Sequence, residues 1–467
     1  MVRRSIRSSK INFKNLIYAY VFACIVLIGC VSIFLNVDVI NVRWSIIMTF
    51  IINGIIIFFE LSRSSKLGYS LKDILFLFMF IFMFVSPLVQ YFESSFPWWD
   101  THLITEDKIL HTNFVIFIFL VVYLFVYQYT FRYEGNNFKN REIINIKLVM
   151  NIFFIATVIC SIYLIAKTGF SNLFSRSTNK LQIESSSMAL IISHTFNSVS
   201  VIYVGMNLLF AIKNKYIYNR VHFLIGCILM LLVNFPTSSA RYWMASVYIG
   251  LFIIIVKRIK NPYVFKILIF IGILVVFPAL NTFRNHTFQD VVANGVEIPR
   301  PYEAFLEGHF DTYSMLVRSI IYTDYYGLTW GNQLLGNLLF FIPRKIWPAK
   351  PIGSGAMIGR TWGWPFTNVS CPYIGEGYIN FGLFGVVLFA VILALICKSA
   401  DTAYQKQVLA NNKSVTFIEL IYPFSLGFLF FILRGDLLSS FSYYIGFMVP
   451  VIILWILHKL KLLKLNV

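Results

Sequence analysis

Long apolar runs broken by short, turn-rich or charged connections set the rhythm of this chain. Each run approaches the ~20 residues that carry a helix across about 30 Å of hydrocarbon. The pattern predicts spans at about 16–36, 45–61, 74–92, 110–131, 147–166, 188–211, 221–235, 242–256, 264–283, 378–397, 415–433 and 440–458. Two of these, 221–235 and 242–256, are short and separated only by Pro236 to Arg241. The expected architecture is all-α: a polytopic integral membrane protein of about 12 transmembrane helices with one large loop. Its organisation is residues 1–283 with nine spans, an extracytoplasmic loop at 284–377, and residues 378–467 with three spans.

That loop is too long to be a plain connector. Pro301 suits a first helical turn and predicts a helix to about Tyr322, on which Glu307, Asp311 and Arg318 share one face. A second short helix, Asn332 to Ile342, ends at Pro343 and has the length to lie at a membrane interface without crossing it.

The composition agrees with the pattern, with 58% hydrophobic residues and positive mean hydropathy. The net charge of +19 would suit a nucleic-acid binder until the charges are sorted by side. Basic connections such as Arg63–Lys72, Arg132–Lys147, Lys257–Lys260 and Lys398–Lys413 alternate with acidic or neutral ones such as Glu93–Lys108. One side then holds 25 of the 39 Lys and Arg with 6 of the 20 Asp and Glu, and the other holds 14 of each sign. All of the excess lies on one side, the bias that sets membrane orientation. Nucleic acid drops out as a partner, and both termini are expected in the cytoplasm. The basic head before the first span, without a small-residue cleavage motif, reads as a retained span. Cys371 is expected in the loop and the other five cysteines within spans, so no disulfide framework is expected.

Arginine on the side that insertion does not favour calls for a reason. Arg241 and Arg284 sit at span ends, and Arg434 follows a span in Leu433-Arg434-Gly435-Asp436. Arg344, Lys345, Lys350 and Arg360 crowd a stretch rich in tryptophan and proline between Phe340 and Asn380. Guanidinium forks suit phosphate oxygens, which makes Arg241, Arg284, Arg344, Lys350 and Arg434 candidate pyrophosphate ligands. Trp347, Trp362 and Trp364 are candidates for stacking on sugar faces, while Trp98 and Trp99 fit interfacial anchors. His309, Glu307, Asp311 and Glu376 are the candidates for proton transfer. No His-x-x-x-His, paired Asp or Cys/His spacing points to a metal, and no cofactor is expected. Asn368-Val369-Ser370 matches a glycosylation sequon too short to carry weight, and Glu60 and Glu419 need no more than ion pairs at basic span edges.

Four stretches in this order resemble the bacterial O-antigen polymerase (Wzy) family: Ser238 to Arg241 at a span start, Pro343 to Pro351, Gly375 to Gly385, and Arg434 to Asp436. The resemblance implies a GT-C-like glycosyltransferase of the bacterial inner membrane. It would pass a growing glycan from undecaprenyl pyrophosphate to the non-reducing-end hydroxyl of a lipid-linked repeat unit, without a nucleotide sugar. From that resemblance the roles of Arg241, Arg344, Lys350, Glu376 and Arg434 follow, with a chain-length regulator and an upstream flippase as partners. An O-antigen ligase, with similar donor chemistry, and a lipid-linked oligosaccharide flippase are the competing readings.

Overall fold

The computed structural model describes residues 43–63, 65–129, 142–143, 145–169, 173–174, 187–276, 301–410 and 412–460. The expected first span, the end of the ninth, Cys24, Cys30 and Arg284 lie outside the described residues. The described chain is helical apart from its connections and one isolated bridge between Glu142 and Thr416.

The helices run in order as α1 Trp44–Ser62, α2 Leu71–Phe92, α3 Glu106–Tyr129, α4 Ile146–Thr168, α5 Ser187–Asn214, α6 Arg220–Val233, α7 Arg241–Val256 and α8 Pro262–Val276. The inserted region contributes α9 Thr312–Tyr326, α10 Asn332–Leu338 and α11 Ser354–Thr361. The last three are α12 Tyr373–Ala410, α13 Phe417–Arg434 and α14 Leu437–Lys459. Eight of them (α1 to α5 and α12 to α14) are long and apolar enough to cross a membrane, and α6, α7 and α8 are shorter apolar helices. Large apolar side chains such as Ile55, Phe125, Ile159 and Leu224 point outward, the arrangement hydrocarbon rewards and water does not.

Helix starts follow ordinary rules. Asn219 and Asn261 cap α6 and α8 by accepting backbone N–H bonds, and Thr416 with Glu419 closes a capping box at α13. The basic ends are pinned by ion pairs. Glu60 holds Arg63 at 2.6 Å and Lys72 at 2.8 Å, and Lys213 meets Glu419 at 2.6 Å.

Two large apolar clusters form most of the interior of the described residues, and α13 belongs to both. Tyr422, Leu426, Leu429 and Leu433 pack with α2, α3 and α12, while Leu420, Phe424 and Phe428 pack with α5, α7 and α14. The α7 and α13 backbones lie so close that a Cβ on Gly427 would run into Ser246. The same antiparallel register stacks Tyr242 on Phe431, with ring centroids 4.6 Å apart and an interplanar angle of 3°. Continued toward the end of α13, it brings Arg434 to the start of α7, over the ring of Tyr242.

Two expectations need correction. The helix read from Pro301 to Tyr322 breaks after Pro301–Ala304, passes through a 3-10 turn at Gly308–Phe310, and resumes at Thr312. Phe305 and Phe310 turn inward to meet each other at 4.8 Å, and Phe310 also stacks on Phe82. The indole of Trp98 occupies the space where a side chain at position 308 would be. Glu307, Asp311 and Arg318 therefore do not share one helical face. The tenth span, placed at 378–397, begins five residues earlier and continues to Ala410, with a kink at Phe381 and Gly382, where Gly382 takes φ +61°. The kink divides a fully buried first segment, Tyr373 to Asn380, from the long span proper.

Candidate functional site

The break at residues 305–311 has a chemical consequence. Carbonyls of Gly308 and His309, released from helical bonding, accept from the Nη2 of Arg434 at 3.1 Å each. The same guanidinium reaches Asp311 Oδ1 at 3.0 Å and lies over the ring of Tyr242, 5.5 Å from its centroid. Arg241, at the start of α7, places Nη2 3.4 Å from His309 Nδ1. On the far side of the imidazole, Nε2 is 3.6 Å from Glu307 Oε2. Three segments remote in sequence thus meet around one histidine. Donation by Arg241 to Nδ1 leaves the neutral ring's proton on Nε2, facing Glu307. Burial pushes the Glu307 carboxyl above its usual range, against the opposing pull of Arg241.

Asp311 is almost fully buried, and both oxygens are engaged. Oδ1 accepts from Arg434 and from Ser370 Oγ at 2.8 Å, while Oδ2 accepts from Trp98 Nε1 at 2.8 Å and Ser370 N at 3.3 Å. A carboxylate so enclosed fixes a guanidinium rather than collecting a proton from substrate. Arg318, expected on the same helical face, instead donates to the carbonyl of Trp99 at 2.6 Å and lies under Trp364. Burial lowers its pKa to about 10.

Glu376 is also enclosed, accepting from Ser354 Oγ at 2.8 Å and Leu437 N at 3.1 Å. Asp436 caps the start of α14 through Leu438 N at 3.0 Å and takes Gly355 N at 2.9 Å. Burial holds Asp436 above the ordinary carboxylate range. These two acids tie the Gly353-Ser354-Gly355 turn to the connection that carries Arg434.

The remaining nominated residues lie elsewhere. Arg344 donates to the carbonyls of Lys350 at 2.6 Å and Pro351 at 3.2 Å. Lys350 is buried, with Nζ on the carbonyls of Phe340 and, at 3.0 Å, Ile342. Burial lowers its pKa. Trp364 is buried with Nε1 bonded to Asp100 Oδ2 at 2.6 Å, its ring 6.2 Å from Trp362. Trp362 and Trp347 are half-buried and keep some accessible face.

Sequence reading missed Ser370, seen only as the end of a sequon, and Trp98, taken for an interfacial anchor; both hold Asp311. A polar residue spent on a buried carboxylate leaves no local pattern in the sequence. Tyr242 had a signal, being next to Arg241 on a helix whose register with α13 is set by small residues.

Comparison of the chain with protein-family models, curated proteins and solved structures finds no match.

Proposed function

We propose that this chain is a membrane glycosyltransferase that polymerises lipid-linked oligosaccharide repeat units, and that Arg241 and Arg434 hold the donor pyrophosphate. The observation that carries the reading is the meeting of these two guanidinium groups on His309, at the end of the α7–α13 pair. Depth supports it. At 1.5 Å per residue, α6 with 14 residues and α7 with 16 span only about 21 and 24 Å, less than the hydrocarbon thickness. With their other ends at the opposite interface, their connection would lie below the bilayer surface, where a lipid pyrophosphate would meet it beside a low dielectric.

In this reading the acceptor sugar hydroxyl attacks the anomeric carbon of the growing glycan. The bond from that carbon to the pyrophosphate oxygen breaks, and its electron pair leaves with the pyrophosphate, where Arg241 and Arg434 meet the developing charge. The hydroxyl proton goes to His309. Before donor binding, Arg241 occupies Nδ1; once the pyrophosphate draws that guanidinium away, the lone pair is free to accept. Glu307 then stabilises the imidazolium from the Nε2 side. Asp311 positions Arg434, and Glu376 with Asp436 positions the turn beside it. Arg344 and Lys350 shape their own loop, and sugar stacking falls to Trp347 and Trp362. The donor would be undecaprenyl-pyrophosphate-linked glycan on the outer face of the bacterial inner membrane, with a chain-length regulator as a partner.

The test is complementation of a strain deleted for this gene. A polymerase leaves single-repeat glycan when lost, restored to a ladder by the native gene and not by R241K or R434K. Complete loss of repeats from the lipid core would mark a ligase, and an unchanged ladder would remove the reading.

A further inference from the structure

Residues 329–351 have their polarity inside out. On α10 the polar Gln333 and Asn337 are buried, whereas Leu335 and Leu338 face outward. Trp330 and Ile346 are each 76% exposed and Phe341 about half, so that, Asn332 apart, the outward surface is apolar from Trp330 to Pro343. In water such a surface would be unfavourable.

Much of the backbone is bonded within the segment as well. Successive turns run through Leu335 N to Gly331 O, Leu339 N to Leu335 O, Ile342 N to Leu339 O, Trp347 N to Pro343 O and Lys350 N to Trp347 O. Carbonyls left over at the bend are taken by cations: Phe340 and Ile342 by Lys350, and Lys350 and Pro351 by Arg344. Hydrocarbon imposes this requirement, because an unpaired carbonyl has no solvent to turn to. A loop in water would not need it.

Two contacts join the surface to membrane helices. Gly331 sits against Phe381 at the α12 kink, just before exposed Leu383 and Phe384, and Phe340 packs edge-on to Phe441 of α14 at 5.9 Å. Arg344 and Lys345 are exposed at the end of the apolar stretch, where side chains of that charge meet lipid phosphates.

We propose that Trp330 to Ile346, the short helix α10 and the turns that follow it, is embedded in the bilayer leaflet on the arginine side, its apolar face in the acyl chains and Arg344 and Lys345 at headgroup level. The occupant of this surface is membrane lipid. The placement is independent of the polymerase reading.

Cysteine accessibility in nanodiscs, which open both faces to reagent, tests it. Leu338→Cys, Phe341→Cys, Lys345→Cys and Asn368→Cys are each treated with a polymer-linked maleimide, with the unsubstituted protein as background. Thiolate forms poorly in hydrocarbon, so Leu338→Cys and Phe341→Cys should react at least about tenfold slower than Asn368→Cys, with Lys345→Cys close to the latter. Equal labelling after denaturation and a monodisperse gel-filtration peak exclude misfolding as the cause. Labelling of both Leu338→Cys and Phe341→Cys within about threefold of Asn368→Cys would overturn the placement.

Discussion

Arg434 and Arg344 stand in comparable settings in sequence, each at a helix end on the side that insertion leaves poor in cations. In the fold they do opposite things. Arg434 reaches more than a hundred positions along the chain to the carbonyls of Gly308 and His309 and to Asp311. Arg344 reaches six and seven positions, to the carbonyls of Lys350 and Pro351. The first joins three segments at a point where an anion could be held; the second closes one loop upon itself. A cation's value to a site is therefore set by the sequence distance of its partners, which composition does not record.

The sharpest way to break that contrast is at Arg434. Arg434→Ala leaves Asp311 buried without its counter-ion, and removing one partner of a buried pair costs about 3–5 kcal/mol. Thermal unfolding in nanodiscs should show a clear destabilisation, and glycan assembly should stop. If Arg434→Ala unfolded like the native protein, Asp311 would have another neutralising partner and the anchoring role would be lost.

Arg241 tests the chemistry with less cost to the fold. It is half-buried at the start of α7, so Arg241→Lys should leave unfolding unchanged. A point charge in place of a fork should still slow transfer by roughly 10- to 100-fold. Full activity in that variant would separate Arg241 from the donor.

Glu307 gives the pH dependence. Its carboxyl sits above the ordinary glutamate range, and its ionised form is the one that supports His309. Assembly should therefore decline as the pH falls through that raised value, at a higher pH than an unperturbed glutamate would give. Glu307→Gln should be slower and lack this limb. An unchanged acid limb in the variant would assign it to another group.

Much of the fold was legible in sequence. The spans at 45–61, 147–166 and 242–256 coincide with α1, α4 and α7 to within a few residues, because apolar length is a local property. Arg241 and Arg434 were legible because they oppose the charge bias. The break near Gly308 was not, since the sequence gives Tyr302 to Tyr322 no proline and no turn cluster beyond the single Gly308. It exists because Phe305, Phe310 and Trp98 find tertiary partners stronger than helical continuity. Trp364 was misread for a related reason: a tryptophan among glycines and prolines looks available for sugar, yet its Nε1 is tied to Asp100 and its ring to Arg318.

The smallest expected effect sharpens the contrast from the other side. Arg344→Lys keeps the charge and shortens the reach to two neutral carbonyls, each such bond worth about 1 kcal/mol. Arg344 is exposed, so water or a lipid headgroup can take over part of that bonding, and the loss should stay near or below about 1 kcal/mol. Glycan length should be normal. Were Arg344→Lys to abolish assembly as Arg241→Lys does, Arg344 would have to leave its carbonyls and swing to the donor when substrate binds. The two regions would then form one site that closes only around its ligand. Assaying both variants at matched protein levels decides between a loop that shapes itself and a loop that is waiting for an anion.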